Sequence, residues 1–463
     1  MTRLELANIT DRNRGQGQSI IALHHSQPVS RDAFIADVAA LAQQIRCHPV
    51  RSWALFCRDA YPFAAAFFAL LHEGRDIVLP GNFTETTRQS LQDYCDGLIG
   101  DMPEADIAVQ HLPGAESSAL SLPKLDPRHS RVTIFTSGST GKPKAISKHP
   151  AQLESELAAL EKNWGEQLAD SRIISTVSHQ HIYGLLFRVL WPLATGRCFV
   201  SEQILDNGVV FHQAESSTQK LAWVASPAHL KRLYQTLDWP AVADRLALIF
   251  SSGGPLPNDA ANLAAQLLGQ WPVEVFGSSE TGGIAWRRQQ PGHERWQPLP
   301  GVRIQVAEKQ RLSVQSGHIN LDGQWHQTDD AVRLFEDDRF QLLGRLDRIV
   351  KLEEKRLSLV ELEAAIITTG LVSEAYCLVL EPDARQKRQI LTGTVVLNEA
   401  GRNLLAAEGR PAVIKLLKSA LQKHFELSLI PRKWRFVAQM PVNAQAKMDI
   451  PAIKELMRHD VHS

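Results

Sequence analysis

One stretch of the sequence combines glycines, hydroxyl side chains and lysines in a way that suits a bound polyphosphate. It spans residues 136–144, TSGSTGKPK, and follows an apolar run typical of a buried strand. Glycines free the backbone to wrap an anion, hydroxyls donate hydrogen bonds, and lysines supply positive charge. It is not a Walker A loop, because Gly138 and Gly141 are too close together and Pro143 stands where that loop needs a hydroxyl. An ordinary strand-to-helix turn is the alternative interpretation.

A pair of histidines raises the question of a metal site. Residues 178–184 read SHQHIYG, so His179 and His181 are separated by one residue. A structural zinc ion needs a tetrahedral set of ligands, and no third ligand lies nearby at helical or ribbon spacing. We therefore favour no metal at this pair, and a satisfied structural histidine is a fair interpretation of His179.

Two further segments combine glycine and hydroxyl residues after apolar, strand-like runs. Residues 251–256 read SSGGPL, where glycines would let a flat ring lie against the backbone, although a simple turn has the same composition. Residues 276–281 read FGSSET. Magnesium prefers oxygen ligands that usually include a carboxylate, so Glu280 is chemically suitable. Taken alone, Phe276 would be a core residue.

These segments lie in a chain whose apolar runs alternate between strand and helix patterns. That alternation is typical of a mostly parallel sheet, so we predict an α/β fold. After residue 299 short alternating strands predominate. The expected strands are 53–56, 77–79, 132–135, 173–177, 198–201, 223–225, 247–250, 273–275, 302–306, 312–314 and 339–343, and the expected helices are 32–46 (with Asp32 helping to cap it), 61–73, 184–193, 228–236 and 259–268.

The length of the chain predicts more than one domain. At 463 residues it exceeds the roughly 250–300 residues that one core usually organises. We predict a large N-terminal domain, residues 1–343, with mostly parallel sheets and a β-rich segment. A hinge at 344–347 and a small, mobile α+β domain at 348–463 follow it.

Composition argues against several classes of protein. Fifty basic and 50 acidic residues give a formal net charge of +0, without the basic excess of nucleic-acid-binding proteins. Five scattered cysteines without a C-x-x-C pair are typical of reduced thiols in a cytosolic protein. The N-terminus lacks an apolar signal segment, and the most apolar run, 63–71, is too short to span a bilayer. We expect a cytoplasmic protein with no nucleic-acid partner and no membrane span.

The stretch TSGSTGKPK resembles the phosphate loop of the AMP-forming adenylate-forming superfamily, which includes acyl-CoA synthetases, peptide-synthetase adenylation domains and luciferase. The segments above resemble that family's motifs in the same order, as do TDD at 328–330, GRLD at 344–347, the run 351–363 and PVNAQAK at 441–447. The resemblance covers nearly the whole chain. It implies an enzyme that uses ATP and Mg²⁺ to convert a small carboxylic acid to an acyl-adenylate. The acyl group would then pass to the phosphopantetheine thiol of CoA or of an acyl carrier protein.

The resemblance also implies a role for individual residues. Phe276 would stack on adenine, Asp330 would bind the ribose hydroxyls, and Asp347 would be the pivot of the hinge. The implied catalytic residues are Lys447, Thr136, His181 and Glu280, the last as the Mg²⁺ ligand. The implied nucleotide-binding residues are Thr136, Ser137, Gly138, Ser139, Thr140, Gly141, Lys144, Gly253, Gly254, Pro255, Phe276, Gly277, Ser278, Ser279, Asp330 and Arg345. The implied substrate pocket comprises His181, Tyr183, Gly253, Gly277 and Ile284, and the implied thiol-acceptor side comprises Lys351, Glu354 and Arg356.

Several positions depart from the family's motifs. Phe276 replaces a tyrosine and Ser279 a threonine, which keeps the ring face and the hydroxyl. Asp329 replaces a glycine, which leaves a one-residue ambiguity about the ribose ligand. Glu354 replaces a glycine of the loop that lines the family's pantetheine tunnel, where a carboxylate could obstruct the tunnel or change the accepted carrier. Ala446 replaces the glycine before Lys447.

The nature of the acid is predicted by the same resemblance. The triplet at 181–183 is similar to that of coumarate-type CoA ligases, which favours an aryl or hydroxyaryl acid. Short ligases of bacterial aryl-polyene and fatty-acid-like clusters are also similar, so a medium-chain fatty acid stays open. Two other functions are alternatives: a catalytically degenerate nucleotide-binding relative, and an unrelated kinase or ATPase that would yield ADP.

Overall fold

The computed structural model describes residues 4–13, 17–109, 121–136, 144–352, 355–381, 389–442 and 448–458. The strands of these residues are, in chain order, β1 Ile20–His24, β2 Gln27–Ser30, β3 Ser52–Phe56, β4 Asp76–Leu79, β5 Gly97–Gly100, β6 Ile107–Ala108, β7 Val132–Thr136, β8 Lys144–Lys148, β9 Arg172–Ser175, β10 Phe199–Val200, β11 Leu221–Ala225, β12 Leu246–Ser251, β13 Val273–Ser278, β14 Gly282–Arg287, β15 Gln297–Pro298, β16 Arg303–Val306, β17 Arg311–Gln315, β18 His326–Leu334, β19 Phe340–Arg345, β20 Ile349–Leu352, β21 Lys355–Ser358, β22 Val372–Leu380, β23 Ile390–Leu397 and β24 Lys433–Phe436. The helices are α1 Arg31–Arg46, α2 Ala60–His72, α3 Glu85–Leu91, α4 Pro150–Leu168, α5 Ile182–Gly184, α6 Trp191–Thr195, α7 Asn207–Ser216, α8 Pro227–Leu230, α9 Asn258–Leu268, α10 Leu359–Ile367, α11 Glu399–Leu421 and α12 Ile450–Arg458.

Two large sheets dominate the first two thirds of the chain. One has the order β15-β14-β13-β12-β11-β9-β10-β1-β2, and the other has the order β6-β5-β3-β4-β7-β8. The central strands of both pair in parallel, and the antiparallel pairs lie at the edges. Parallel strands are buried on both faces, which explains their nearly continuous apolar runs. The predicted α/β fold is confirmed.

Helix α2 explains the most apolar run of the sequence. Every residue from Ala60 to His72 is buried, so this helix belongs to the core that the two sheets share rather than to a surface. A helix that is apolar all round is buried in a large core or in a membrane. In the described part of the chain, no helix is both long and apolar enough to cross a bilayer.

The region after residue 299 is rich in β-structure, as predicted, and is followed by a smaller α+β region. Strands β16 to β19 form an antiparallel sheet, and β22, β23 and β24 form another that packs with α10 and α11. The buried clusters of the large region and of the small region share no residue, and they separate between Leu342 and Val350. The boundary at 344–347 stays a prediction. Among the described residues an ion pair joins the two regions, from Lys231 Nζ to Glu374 Oε1 at 2.9 Å.

Two local predictions are wrong. The helix expected at 228–236 is only the four-residue α8, because the side-chain amide of Asn207 donates to the carbonyls of His229 and Arg232 and competes with helical hydrogen bonds. Helix α1 begins as expected, but its capping oxygen belongs to Ser30 rather than Asp32.

The helix expected at 184–193 is not a continuous α-helix. α5 and α6 flank a π-helical segment, Leu185–Leu190, in which every residue is buried. Because the segment is buried on all sides, its sequence has no amphipathic pattern that would distinguish the period of an α-helix from that of a π-helix. The buried guanidinium of Arg188 bonds the carbonyls of Val177 and Ser201 and fixes the segment to neighbouring loops. Single π turns often occur at functional sites, and this one follows His181 and Tyr183 directly.

Candidate active site

The strands that flank the TSGSTGKPK stretch pair with each other. β7 and β8 are antiparallel, and Thr136 lies opposite Lys144 in their register. Because β7 also pairs with β4, both ends of the stretch are anchored to the smaller of the two large sheets. The described part does not include residues 137–143 or the side chain of Thr136. That range contains the predicted ligands Ser137, Gly138, Ser139, Thr140 and Gly141.

The structure brings two sequence motifs into direct contact. Lys144, at the end of the phosphate stretch, places its Nζ 2.8 Å from Oε1 of Glu280 in the turn between β13 and β14. The lysine side chain is 62% exposed and that of the glutamate 31%. Both groups therefore remain accessible to a nucleotide although they pair with each other.

The carboxyl of Glu280 is kept ionised by its surroundings. Burial works to raise its pKa, but the hydrogen bond from Lys144 and further hydrogen bonds, including one from Ser278, outweigh burial and lower that pKa. An ionised, partly accessible carboxylate is the kind of oxygen ligand that Mg²⁺ takes alongside nucleotide phosphates. Glu280 therefore fits the role of a magnesium ligand.

A buried lysine supports the turn that carries Glu280. Lys148, at the end of β8, donates from Nζ to the carbonyl oxygens of Glu280, at 3.1 Å, and His318, at 2.9 Å. Burial lowers the pKa of this lysine, and the carboxylates of Glu156 and Glu280 oppose that shift. Two lysines of β8 thus hold Glu280, one through its side chain and one through its backbone. Lys148 was not among the predicted site residues.

A buried carboxylate contacts the same turn from α4. Oε1 of Glu156 accepts from the Gly283 amide at 2.6 Å, while Oε2 has no hydrogen-bond partner among the described residues. Gly282 has φ +66°, and a Cβ there would lie 2.4 Å from that oxygen, so the position requires glycine. The sequence carries a weak signal for Glu156, because it lies three residues after Leu153 and four before Leu160, on the apolar face of α4.

The segments predicted to bind adenine form an open edge beside β12 and β13. Gly253 and Gly254 are exposed, and a Cβ on either would meet nothing within 4 Å. Ser252 ties this turn to β13 through its hydroxyl, which donates to the Val275 carbonyl at 2.8 Å. Phe276 is partly buried and packs on Trp296, with ring centroids 5.4 Å apart. The arrangement leaves room for a flat ring along the glycines, and stacking on Phe276 stays a prediction.

The predicted ribose site pairs two strands of the antiparallel sheet. Asp330 of β18 lies opposite Arg345 of β19, and their charged groups are 4.0 Å apart. Asp329 also approaches Arg345, at 3.8 Å, and Arg311, at 3.7 Å. The side chain of Asp330 is 16% exposed and that of Asp329 55%. The more enclosed carboxylate supports Asp330 as the ribose ligand, which stays a prediction.

Of the residues predicted for the acid pocket, Ile284 lies in the core of the large region and Tyr183 packs against it, whereas Gly253 and Gly277 are exposed. The hydroxyl of Tyr183 is enclosed and has no hydrogen-bond partner among the described residues, and burial raises its pKa well above the ordinary value. Its ring lies 4.9 Å from that of Phe187 in the π-helical segment. Ile284 is buried, and His181 is partly exposed at the start of α5. A Cβ on Gly277 would lie 2.1 Å from the Gly282 carbonyl oxygen, so strand contact alone requires that glycine.

His179 takes the structural role that is its simplest interpretation. It is buried, its Nε2 lies 3.0 Å from the Cys57 carbonyl oxygen, and its ring packs on Phe63. Burial lowers the pKa of this histidine well below its ordinary value, and the charge of Arg188 acts in the same direction. A neutral ring that bonds a backbone carbonyl suits a residue that shapes the pocket wall.

The thiol-acceptor side is described in part. Lys351 and Arg356 lie opposite each other in the β20–β21 hairpin. Glu354, which lies between them in the sequence, is outside the described residues. Asp347 falls in the short helical turn Leu346–Arg348 that follows β19. Lys447 also lies outside the described residues. The roles of these residues stay predictions.

Comparison with known proteins assigns the chain to a family. The sequence model of the AMP-binding enzyme family matches residues 31–324, which is more than half of the chain. This chain belongs to the AMP-binding enzyme family. The resemblance seen in the motifs is thereby confirmed.

The relatives of this chain are distant but cover most of it. It is 24% identical to the 4-coumarate–CoA ligase of Cereibacter sphaeroides over 69% of this chain and 70% of that one. It is 25% identical to the D-alanine–D-alanyl carrier protein ligase of Staphylococcus aureus (strain MRSA252) over 70% and 71%. The ATP-bound structure of MatB from Rhodopseudomonas palustris has the same fold, with a TM-score of 0.82, 16% identity and coverage of 98% and 99%.

The coarse activity follows from the family. The chain is an adenylate-forming ligase, whose substrates are ATP and a carboxylic acid. It activates the acid as an adenylate.

Proposed function

We propose that the acid is an aryl or hydroxyaryl carboxylic acid, and that Mg²⁺ on Glu280 and the ammonium of Lys447 assist its adenylation. The observation that carries the acid class is the enclosed Tyr183 hydroxyl, which has no hydrogen-bond partner in the described part of the chain. A buried polar group left unsatisfied costs about 1–3 kcal/mol, which a hydroxyl on the bound ring would recover. The acid reaches it only once the side chains around Tyr183 move apart. The similarity to a 4-coumarate–CoA ligase supports the same class.

The first reaction forms one bond at phosphorus and breaks another. An oxygen of the acid's carboxylate attacks the α-phosphorus of ATP, and the bond from that phosphorus to the bridging oxygen breaks as pyrophosphate leaves. Negative charge grows on the transferred phosphoryl oxygens and on pyrophosphate, where Lys144 and Lys447 would stabilise it. Glu280 would hold Mg²⁺, which supplies charge neutralisation at the phosphates when bound. The Lys144–Glu280 pair prepares both groups in one place.

The second reaction transfers the acyl group to sulfur. A phosphopantetheine thiolate attacks the acyl carbon of the adenylate, and AMP leaves as the thioester forms. The acyl-adenylate is a mixed anhydride, so no covalent enzyme intermediate is needed. We propose that the C-terminal region turns at Asp347 between the two reactions and exchanges Lys447 for the loop near Lys351.

Pyrophosphate release from Mg-ATP across a panel of acids tests the proposal. Hydroxylamine replaces the thiol, and the panel contains hydroxycinnamates, hydroxybenzoates and fatty acids from short to long chain. Release stimulated by the aromatic acids supports the proposal, whereas release confined to fatty acids overturns the acid class. Tight ATP binding without pyrophosphate from any acid indicates the degenerate relative, and ADP as the product indicates a kinase or ATPase.

The Tyr183→Phe variant tests the role of the phenol hydroxyl. We expect kcat/KM for a 4-hydroxycinnamate to fall about tenfold or more, because the substrate hydroxyl loses its buried partner. For cinnamate, which lacks that hydroxyl, kcat/KM should not fall. Steady-state pyrophosphate release with both acids measures the difference. An equal loss with both acids would mean that Tyr183 only fills space.

The Glu354→Gly variant tests the acceptor. Removing a carboxylate from the predicted thiol-acceptor loop is expected to lower KM for free CoA by about threefold or more, because CoA carries negative phosphates. Thioester formation measured against CoA concentration gives the change. Glu353→Gly is the matched control, since it removes the carboxylate of the residue directly before Glu354. An unchanged KM in the Glu354 variant contradicts this role.

A further inference from the structure

A cluster of metal-binding side chains lies outside the active site. It comprises His24 and His25 at the turn between β1 and β2, Asp59 before α2, and Glu202 after β10. Each offers one ligand atom, and these atoms all lie within 4.8 Å of one another. Two imidazoles and two carboxylates from three separate parts of the chain make a mixed set that sequence spacing does not reveal.

The separations within this cluster are close to those of a tetrahedral zinc site. His24 Nδ1 lies 3.6 Å from Glu202 Oε1, and His25 Nδ1 lies 3.2 Å from the same oxygen. The other ring nitrogen of His25, Nε2, lies 3.5 Å from Asp59 Oδ2. Zinc bonds of about 2.1 Å to nitrogen and oxygen place neighbouring ligand atoms about 3.4 Å apart at the tetrahedral angle. The imidazole of His25 is 67% exposed and can turn, so that one of its nitrogens completes the set.

The backbone places the two adjacent histidines on the same side. Successive side chains of a strand normally point to opposite faces. Here His25 and Ser26 have φ of 49° and 63°, a left-handed conformation that is uncommon for residues other than glycine. As a result the rings of His24 and His25 lie 4.2 Å apart between centroids and face the same carboxylates.

The carboxylate of Asp59 is available for a ligand. Asp59 is the cap residue of α2, a position at which aspartate usually bonds the first helical amides, yet its side chain makes no such bond. It lies instead toward His25. The positive charge of the buried Arg188 guanidinium attracts the carboxylates of Asp59 and Glu202, and it offsets one of their two negative charges. A divalent cation would leave the site with a single net positive charge.

We propose that His24, His25, Asp59 and Glu202 form a structural binding site for a divalent transition metal of the zinc class. Bound metal joins the β1–β2 turn at the edge of the larger sheet to the start of α2 and to the segment after β10. Ser201, whose hydroxyl lies 3.0 Å from His24 Nδ1 and also accepts from the Tyr61 amide, ties His24 to the segment that carries Glu202. The site is independent of the acyl-transfer chemistry.

Zinc titration of the full-length protein tests this site. The protein is dialysed against EDTA and then against metal-free buffer, and ZnSO₄ alone is added in a calorimeter. CoCl₂ in a parallel sample reports tetrahedral coordination by its visible absorption. The variants are His25→Ala, which removes a largely exposed side chain, and Glu202→Gln, which keeps the shape of the side chain. The matched control is His212→Ala, because His212 is likewise exposed and lies 3.3 Å from Glu215.

We expect the unmodified protein and the His212 variant to bind one equivalent of Zn²⁺ and to gain thermal stability with it. In the His25 and Glu202 variants the dissociation constant should rise about tenfold or more, and the tetrahedral Co²⁺ spectrum should be lost. Two results would overturn the proposal. Absence of saturable uptake would mean that the four side chains form ion pairs only, and uptake unchanged in both variants would place the zinc elsewhere, for example on free cysteines.

Discussion

We expect the Lys447→Ala enzyme to lose adenylate formation by about a hundredfold or more while it keeps the second reaction. The ammonium of Lys447 is assigned to the charge that develops at the α-phosphate, and removal of one such group commonly costs about 10²–10³ in rate. Thiol attack on a finished adenylate develops negative charge on the acyl oxygen instead, where this lysine is not used. Pyrophosphate release from ATP and acid measures the first reaction, and thioester formation from supplied acyl-adenylate and CoA measures the second.

A lysine of the same region controls for general effects of charge removal. Lys454 is exposed on α12, and Lys454→Ala should leave both reactions unchanged. If the Lys447 variant released pyrophosphate at the full rate, the assignment of this residue from the C-terminal motif would be wrong. If both reactions fell together, the substitution would have disturbed the C-terminal region rather than removed a catalytic charge.

The sheets of this protein could be predicted from the sequence because their strands are buried on both faces. Runs such as 247–250 and 273–275 are short, apolar and followed by turn residues, and both are strands in the structure. The helix expected at 228–236 failed for a different reason. Its residues repeat at helical spacing, but Asn207 captures their carbonyls from another part of the chain. Local pattern contains no information about such a partner.

The residues of the candidate active site likewise fall into two groups, those that the sequence reveals and those that it does not. Motifs that bind a ligand through consecutive residues, such as 276–281, are visible in the sequence because their spacing is fixed by the ligand. Residues that hold a motif in place need only reach it in space. Lys148 bonds the Glu280 carbonyl from another strand, and Glu156 bonds the Gly283 amide from a helix. Their positions follow from the packing of α4 and β8 against the β13–β14 turn, which no spacing rule gives.

The largest effect of a change in the described residues is expected for Glu280→Gln. Glutamine keeps the shape of the side chain and can still accept a hydrogen bond from Lys144, but it removes the negative charge that suits a magnesium ligand. We expect pyrophosphate release at saturating acid to fall about a hundredfold or more. The dependence on Mg²⁺ should also shift to higher concentration, and titration of MgCl₂ at fixed ATP measures both effects.

The pH dependence provides a second test of the same residue. Because the pKa of Glu280 is lowered, its carboxylate and its ion pair with Lys144 persist through neutral pH and are lost only as the pH falls through that lowered value. The acid limb of the rate profile that Glu280 contributes should therefore lie below the ordinary glutamate range and be absent from the Glu280→Gln variant.

Glu73→Gln is the matched control, since Glu73 forms an ion pair of similar length, 2.7 Å to Arg46, in a different part of the fold. Loss of an ion pair alone would affect both variants equally, and would show only as lower stability. A drop in pyrophosphate release confined to the Glu280 variant shows that the lost charge acts at the nucleotide site and is not a general effect of losing an ion pair. Equal rates in the two variants would mean that Glu280 serves only to hold Lys144 in position.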